Sequence, residues 1–271
     1  MSKRRELQKR IATLGEINEI FDAMRGLALV ESRKIGGFIA AQRAAMAVIE
    51  TTAADFLADR PMPEPYPAGD VLCVIGSEHG FCGDFNARLA EAAQATLATV
   101  TPPRTLLIGN RLAGHWPGTA VATISGAKVV EEVPQVMQSL IDHLTAHMDG
   151  QDEAASGLVV LHHGNDGIAM RRLLPMPQPS ASPTHRSHAL ELNLPPQAFY
   201  NALTKQYLRM GLQAVLYDSL MAENEQRLVH MEQALDKLKE QLGDLTLKQN
   251  RARQEEITEE IEIILLNTEL A

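Results

Sequence analysis

A glycine-rich turn is the first segment whose residues could do chemistry. The segment from Gly76 to Gly83 reads GSEHGFCG; it follows an apolar, strand-like run and precedes a helix-like stretch. Phosphate-binding loops occur at such positions. The turn lacks the Gly-Lys-Ser/Thr ending of a P-loop and the spacing of a dinucleotide fingerprint. We therefore interpret it as a tight turn that packs a domain against a helical coil, with nucleotide binding as the less favoured alternative.

Cysteine and histidine patterns offer two further candidates. Cys82 lies three residues after His79, and such a pair can act as nucleophile and base. A lone cysteine in a glycine-rich turn is more often a small packed side chain. The histidines that suggest metal ligation are His162, His163, His185 and His188. The first two are adjacent and would point to opposite faces of a strand, so we predict surface histidines, no metal site, no cofactor and no catalytic residue.

Composition restricts the class of protein. A net charge of −9 argues against a general nucleic-acid binder, which needs a basic surface. The two cysteines, Cys73 and Cys82, do not make a disulfide scaffold and suit a reduced, cytoplasmic compartment. The sequence contains no run of about 18 apolar residues, the length that spans a bilayer. We expect any membrane association to occur only through partners.

Proline placement indicates the elements that must position these residues. All 14 prolines lie between Pro61 and Pro196, which leaves two long proline-free ends. Because proline breaks a helix interior at a cost of roughly 3 kcal/mol, both ends are predicted to be long helices. In the first helix one apolar face is made by Leu7, Ile11, Leu14, Phe21, Met24, Ala28 and Ile35. Its glycines are either weak points or sites where a second helix approaches closely.

The middle of the chain changes to an alternation of strands and helices. Continuous apolar runs at 71–75, 105–108, 120–124 and 158–162 predict buried strands. Helix-like stretches separate them, at 86–99, after Asn110 and at 133–148, which indicates a parallel sheet with crossover helices. Residues 164–167 (GNDG) predict a hairpin into a last strand at 168–174, and 175–196 is predicted to be a loop.

The last segment carries an a/d seam, the apolar stripe of a coiled coil. Its members alternate spacings of three and four: Leu228, Met231, Leu235, Leu238, Leu242 and Leu245. Gln249 and Arg253 interrupt the seam before a narrower stripe of Ile257, Ile261 and Ile264, and Glu255, Glu256, Glu259 and Glu260 predict a solvated acidic face. The fold class is therefore α/β: a long antiparallel N-/C-terminal coiled coil (1–60 and 199–271) with an inserted Rossmann-like α/β domain (61–198).

Three motifs make the chain resemble the γ subunit of rotary ATP synthases, the central shaft. Residues 250–261 (NRARQEEITEEI) are similar to the family's Asn-x-Ala-Arg-Gln-x-x-Ile-Thr-x-Glu-Ile signature. Residues 80–86 (GFCGDFN) are similar to its Gly-Leu-Cys-Gly-Gly-Phe-Asn turn. At the front, Arg10-Ile11 and 20–24 (IFDAM) align with its Lys-Ile-Thr-Lys-Ala-Met helix. The resemblance spans nearly the whole chain.

This resemblance implies a rotor without catalytic residues. In that family the terminal helices form a curved coil inside a ring of three α and three β subunits, and the α/β domain lies beside the ε subunit and the membrane c-ring. Rotation of the asymmetric shaft under ion flux changes the three nucleotide sites in sequence, and ATP hydrolysis turns it in reverse. The expected location is the cytoplasmic face of the bacterial inner membrane, with no nucleic-acid partner.

Site residues follow from the same resemblance. The partner-contact residues it implies are Arg10, Met24, Arg253, Gln254, Ile257 and Glu260, with Arg253 and Gln254 bonding a β-subunit loop. The residues it implies at the domain–coil junction are Gly80, Cys82, Gly83, Phe85 and Asn86. Glu19 and Asp22 stand where the family usually has lysines. Such departures suggest a divergent bacterial paralogue of the alternative ATPase class, whose ion, proton or sodium, is set by the c-ring.

Two other classes of protein remain open from the residues alone. An α/β enzyme with a coiled-coil arm predicts a ligand pocket near Gly76 to Gly83. A coiled-coil adaptor predicts self-association through the seam from Leu228 to Leu245.

Overall fold

The computed structural model of the chain describes residues 3–62, 70–99, 104–148, 157–176 and 191–269. Along the sequence, one long helix precedes all the strands and another follows them. The elements are α1 (Lys3–Asp59), β1 (Asp70–Ile75), α2 (Phe85–Thr99), β2 (Arg104–Ile108), α3 (Asn110–Ala113), β3 (Ala122–Ile124), a 3-10 turn (Val130–Glu132), α4 (Val133–Met148), β4 (Gly157–Gly164), β5 (Gly167–Leu174) and α5 (Pro196–Glu269). They form two compact units: unit 1 is Met1–Leu29 with Arg227–Ala271, and unit 2 is Val30–Gln226.

Unit 2 is built on a five-stranded mixed sheet of order β3-β2-β1-β4-β5. The first four strands run parallel, and Cys73 in β1 lies opposite Leu106 in β2 and Val160 in β4. A hairpin returns the chain antiparallel along β4, pairing Gly164 with Gly167 as the GNDG sequence predicts. Gly167, which follows the two turn residues, has a φ of 117°, a conformation that side chains rarely adopt.

Both faces of β1, β2 and β4 are buried, which explains why these strands are continuous apolar runs. Alternate residues of β1 face opposite cores: Val71, Cys73 and Ile75 on one side, Leu72 and Val74 on the other. The first core is covered by α4 and by segments of α1 and α5 that include Ile35 and Leu212. The second is covered by α2. The result is a sheet with helices on both faces.

Unit 1 consists of the beginning of α1 and the last part of α5. Its most buried side chains repeat at helical spacing: Ala28, Met231, Leu235, Leu238, Leu245 and Ala252. The predicted face of α1 is half-buried from Leu7 to Met24. An ion pair joins the two segments, with the Arg4 guanidinium 3.4 Å from the Glu256 carboxylate.

Most predicted elements are confirmed within one or two residues, but three interpretations need correction or a decision. His162 and His163 are buried rather than on the surface, at 4% and 6% exposure. Both lie on β4, which has β1 on one side and β5 on the other, so the strand's position in the sheet decides their burial. His185 and His188, with most of the predicted loop, lie outside the described residues.

The second correction concerns the seam of α5. Gln249 is half-buried and Ala252 is buried, so the buried spacing continues through small and polar side chains where an interruption was predicted. Ile257, Ile261 and Ile264, predicted to resume the stripe, are 45%, 50% and 63% exposed. Helical periodicity alone does not distinguish a stripe that is buried within a chain from one that is available to a partner.

The glycines of α1 resolve the remaining choice. A Cβ added at Gly15, Gly26 or Gly37 would meet nothing within 4 Å, and at Gly36 it would make only ordinary contact with Met221. These glycines are weak points of the helix and do not mark a close helix approach within the described residues. Among all the residues that the structure describes, no helix has the length and apolar character needed to cross a membrane.

Candidate junction and partner-contact sites

The glycine-rich turn after β1 is held by a side chain at the start of α2. The Asn86 carbonyl oxygen accepts the Ser77 N–H at 2.9 Å, and its amide donates to the Ser77 hydroxyl at 2.8 Å. Phe81 and Gly83 adopt φ values of 62° and 58°, so the chain makes two left-handed steps before the helix begins. Asn86 thereby fixes the turn that the sequence motif predicts.

The other predicted junction residues close the same turn. The Cys82 thiol is buried and contacts backbone carbonyls, donating to Gly80 at 3.3 Å, as a packed structural thiol does. The Phe85 ring stacks on the His163 ring with centroids 3.8 Å apart. The His163 Nε2–H also donates to the Phe85 carbonyl at 2.9 Å. Burial lowers the pKa of His163, against the opposing effect of this hydrogen bond, and favours the neutral ring.

Two carboxylates that sequence reasoning passed over connect this turn to its surroundings. Glu223 of α5 is buried, and its oxygens accept the backbone N–H groups of Glu78 and His79 at 3.2 and 3.1 Å. The Glu78 carboxylate in turn accepts the N–H groups of Asn110 and Gly126 at 2.9 and 2.8 Å. The turn therefore joins α5 to the carboxyl ends of β2 and β3.

A second polar contact ties α1 to the 3-10 turn that precedes α4. The buried Glu31 carboxylate accepts the Val130 N–H at 2.6 Å. Lys34 lies 3.7 Å from Glu31 and 3.2 Å from Glu131. The hydrogen bond that Lys34 donates to the Glu131 carboxylate is the main reason that the pKa of Lys34 is raised. Within unit 2, both long helices are thus hydrogen-bonded to the loops of the sheet.

A cavity of about 230 Å³ lies between α1, α5 and β5, away from the glycine-rich turn. Its arginines face carboxylates: Arg171 is 3.2 Å from Glu50, and Arg43 is 3.9 Å from Asp218. The alternative that the chain is an α/β enzyme predicts a pocket near Gly76 to Gly83, and this cavity is not at that position. Among the residues that the structure describes, no group of three His, Cys, Asp or Glu side chains is placed to hold a metal ion.

The predicted partner-contact residues all lie in unit 1. Arg10, Arg253, Gln254 and Glu260 are exposed, and Ile257 is 45% exposed. Met24 is half-buried, so only part of its side chain is accessible. Arg253, Gln254, Ile257 and Glu260 lie close together along α5, whereas the junction residues lie in one turn of unit 2. Glu78 lies inside the predicted turn, but Glu223 carries no local signal because its partners are more than 140 residues earlier.

The fold defines the class of protein: a mixed α/β subunit with a five-stranded sheet and two very long helices. The sequence model of the ATP synthase family matches residues 3–265, so the chain belongs to the ATP synthase family. It is a γ subunit, the central rotor stalk, and so a non-catalytic part of a rotary ATP synthase.

Relatives over nearly the full length support this assignment. The ATP synthase gamma chain of Mycolicibacterium vanbaalenii is 23% identical, covering 96% of this chain and 95% of the relative. That of Moorella thermoacetica is 25% identical, covering 96% of each. Among solved structures, a chain of the Euglena gracilis mitochondrial ATP synthase OSCP/F1/c-ring in rotational state 3 is similar in fold. It has a TM-score of 0.64 at 14% identity, covering 98% of this chain and 94% of that one.

Proposed function

We propose that residues 3–29 and 227–269 pair as an antiparallel coiled coil that acts as the rotating shaft. From Met231 to Ala252, the buried side chains of α5, together with the half-buried Leu242 and Gln249, follow the alternating spacing of three and four that such a seam requires. The ion pair between Arg4, near the start of α1, and Glu256, near the end of α5, supports an antiparallel direction. This ion pair is the observation that carries the proposal.

The second part of the proposal is a Rossmann-like domain inserted between the shaft helices at about residues 61–198. Four parallel strands with helices on both faces support this classification, since right-handed crossovers favour such layered sheets. The absence of a dinucleotide fingerprint and the tightly closed turn after β1 agree with a domain used for attachment. In the proposed rotor it faces the ε subunit and the c-ring.

Asymmetry of the shaft is what would couple rotation to chemistry. On α1 the outward side chains of unit 1 include Ile20 and Leu27, which are 56% and 71% exposed. On α5 the exposed side chains include Glu255, Glu259 and Glu260. Because the exposed side chains of the two helices differ, the shaft would present different surfaces to each of three β subunits in a ring of three α and three β subunits. Each rotation step would then favour a different state of each nucleotide site.

Individual contacts extend the proposal to named residues. Arg253 and Gln254 are exposed on α5 and are proposed to donate hydrogen bonds to a β-subunit loop. Arg10, Met24, Ile257 and Glu260 are proposed to contact the ring elsewhere. The turn containing Gly80, Cys82, Gly83, Phe85 and Asn86 is proposed as the domain–coil junction, supported by its hydrogen bonds to Glu223 of α5.

The complex is proposed to lie at the cytoplasmic face of a bacterial inner membrane, with this chain bound to the membrane only through the c-ring. A c subunit with a sodium-type or proton-type ion site, encoded beside this chain, would decide the ion and test the proposed membership of the alternative class. Glu19 and Asp22, exposed on α1, are the positions where the partner surface should differ from that of ordinary members.

Coexpression with the α and β subunits tests the function directly. We expect an assembly with about three copies of each larger subunit per copy of this chain, together with ATPase activity that drives ion pumping. Arg253→Ala should lower coupled pumping about tenfold, because a charge-assisted hydrogen bond is worth about 1.5–3 kcal/mol. The matched control is Arg251→Ala, which removes a neighbouring exposed arginine.

Two outcomes separate the parts of the proposal. Equal pumping by the Arg253 and Arg251 variants would remove the β-loop contact but leave the shaft intact. A chain that binds no α or β subunit would contradict the rotor role itself.

A further inference from the structure

Three glycines line a small cradle at the carboxyl ends of β1, β2 and β3. A Cβ at Gly76 would lie 2.6 Å from the Leu112 Cβ, and one at Gly109 would lie 2.7 Å from the carbonyl oxygens of Gly76 and Ser77. Gly109 also has a φ of 99°, which side chains rarely adopt. A Cβ at Gly126 would lie 3.2 Å from the Glu78 Cβ. Side chains therefore approach Gly76 and Gly126 closely and backbone approaches Gly109 closely, so a larger residue at any of the three would require its neighbours to shift.

The N–H donors of this cradle converge on one carboxylate of the same chain. Glu78 Oε2 accepts the backbone N–H of Asn110 at 2.9 Å and that of Gly126 at 2.8 Å. Oε1 accepts the Asn110 side-chain amide at 2.7 Å, and that amide also donates to the Ser125 hydroxyl at 3.2 Å. Backbone N–H groups in a glycine-lined turn are what a bound phosphate or carboxylate receives in anion sites.

We infer that the Glu78 side chain is a built-in anion that fills an oxyanion cradle at the end of the sheet, and that the cradle binds a small free oxyanion once that carboxylate is removed. The protein would thereby keep phosphate and nucleotides out of its α/β domain. The inference concerns unit 2 alone and stands independently of the proposed shaft.

Charge near the cradle supports this role. Burial opposes ionisation of Glu78, yet the N–H donors of Asn110 and Gly126, with the nearby charge of Lys128, lower its pKa below the ordinary value of 4.5. A carboxylate with a lowered pKa stabilises the fold above about pH 4.5, and this contribution is lost as the pH falls through the lowered value. The Glu223 carboxylate of α5 accepts the backbone N–H groups of Glu78 and His79 and so holds the segment that carries Glu78.

Thermal unfolding of the full-length chain tests the inference by chemical rescue. Glu78→Ala empties the cradle and should lower Tm by about 5 °C, because three hydrogen bonds to a charged acceptor are lost. Sodium formate at about 100 mM should restore at least about 2 °C relative to sodium chloride at the same concentration. Inorganic phosphate, compared in the same way, distinguishes a carboxylate-sized cradle from one that also accepts phosphate.

Matched variants exclude general salt effects. Glu78→Gln fills the same space, and Asn110 can rotate its amide to match, so formate should not change its Tm. Glu131→Ala removes an exposed carboxylate elsewhere and should respond to formate as the wild type does. Equal formate responses in the wild type and in Glu78→Ala, or an unchanged Tm in Glu78→Ala, would overturn the inference.

A second measurement applies if Glu78→Ala does not fold. The amide resonance of Gly126 in the wild-type chain should shift as the pH falls below about 4.5, because its acceptor becomes protonated. In Glu78→Gln the same resonance should not follow this titration. A wild-type Gly126 resonance that ignores pH would show that Glu78 does not occupy the cradle in solution.

Discussion

The two units of this chain differ in the hydrogen bonding of their carboxylates and in the exposure of their apolar side chains. In unit 2, the carboxylates of Glu31, Glu78 and Glu223 each accept backbone N–H groups of other segments. Unit 1 exposes large apolar side chains more densely along its chain, including Leu27 at 71% and Ile264 at 63% exposure, although unit 2 also exposes some, such as Val48. Exposed apolar surface of this kind marks contact with partners. Unit 2 therefore has the character of a self-contained domain, and unit 1 that of a surface completed by other subunits.

The largest expected effect contrasts a buried leucine of unit 2 with an exposed one of unit 1. Leu158 on β4 is fully buried, so Leu158→Ala should lower the free energy of unfolding by about 2–5 kcal/mol. Leu27→Ala should change it by less than about 0.5 kcal/mol, because that side chain already faces solvent. Urea denaturation of the isolated chain measures both. A large loss of stability for Leu27→Ala would show that this side chain is buried within the chain and would break the contrast.

An intermediate effect is expected from acid, and it should arise in unit 2. Burial holds the pKa of His163 below the 6.5 of an exposed histidine, so the unfolded chain takes up the proton first. The free energy of unfolding should therefore fall as the pH drops below about 6.5, down to the lowered pKa of the folded state.

The matched variant for this prediction is His163→Gln, whose amide can still donate to the Phe85 carbonyl. It should be about 1 kcal/mol less stable at pH 7, because the ring stack is lost. Its stability should then fall less between pH 7 and 5 than that of the wild type. Parallel pH profiles for the two proteins would rule out His163 as a source of acid sensitivity.

The smallest effect is expected from the ion pair of unit 1. Arg4 and Glu256 are each more than a third exposed, so water and salt screen their attraction. Glu256→Gln should change stability by about 0.5 kcal/mol or less, and the difference should vanish at about 1 M salt. A salt-independent loss of several times that size would mean that this pair holds the segments together, and the apolar seam would then be secondary.

Local sequence patterns predicted the elements well and the polar contacts poorly. The run from Val71 to Ile75 and the GNDG turn carry their structure in a few neighbouring residues, and the strand and the hairpin form where predicted. The burial of His162 and His163 depends on which strands flank β4, which no local pattern reveals. The contacts of Glu223 with Glu78 and His79 join segments far apart in sequence.

The candidate site residues divide in the same way. The turn from Gly76 to Gly83 is predicted from its glycines and its position after a strand, whereas the junction residues from Gly80 to Asn86 come from the resemblance to the γ family. Glu78 lay within that predicted turn, but its importance rests on Asn110 and Gly126, whose approach is a property of the folded sheet. The stripe of Ile257, Ile261 and Ile264 was correctly recognised as a helical face, although periodicity did not show that it would be exposed.

Crosslinking between the two segments of unit 1 tests the central claim most directly. In a chain whose buried Cys73 and Cys82 have been replaced, Arg4→Cys and Glu256→Cys should be joined by a short bis-maleimide within one molecule, giving a monomeric product. Arg4→Cys with Lys239→Cys is the matched control and should not react. Position 239 lies about 25 Å from position 256, toward the start of α5, at ~1.5 Å per residue. A dimeric product from the first pair, or no product at all, would contradict an antiparallel shaft formed by a single chain.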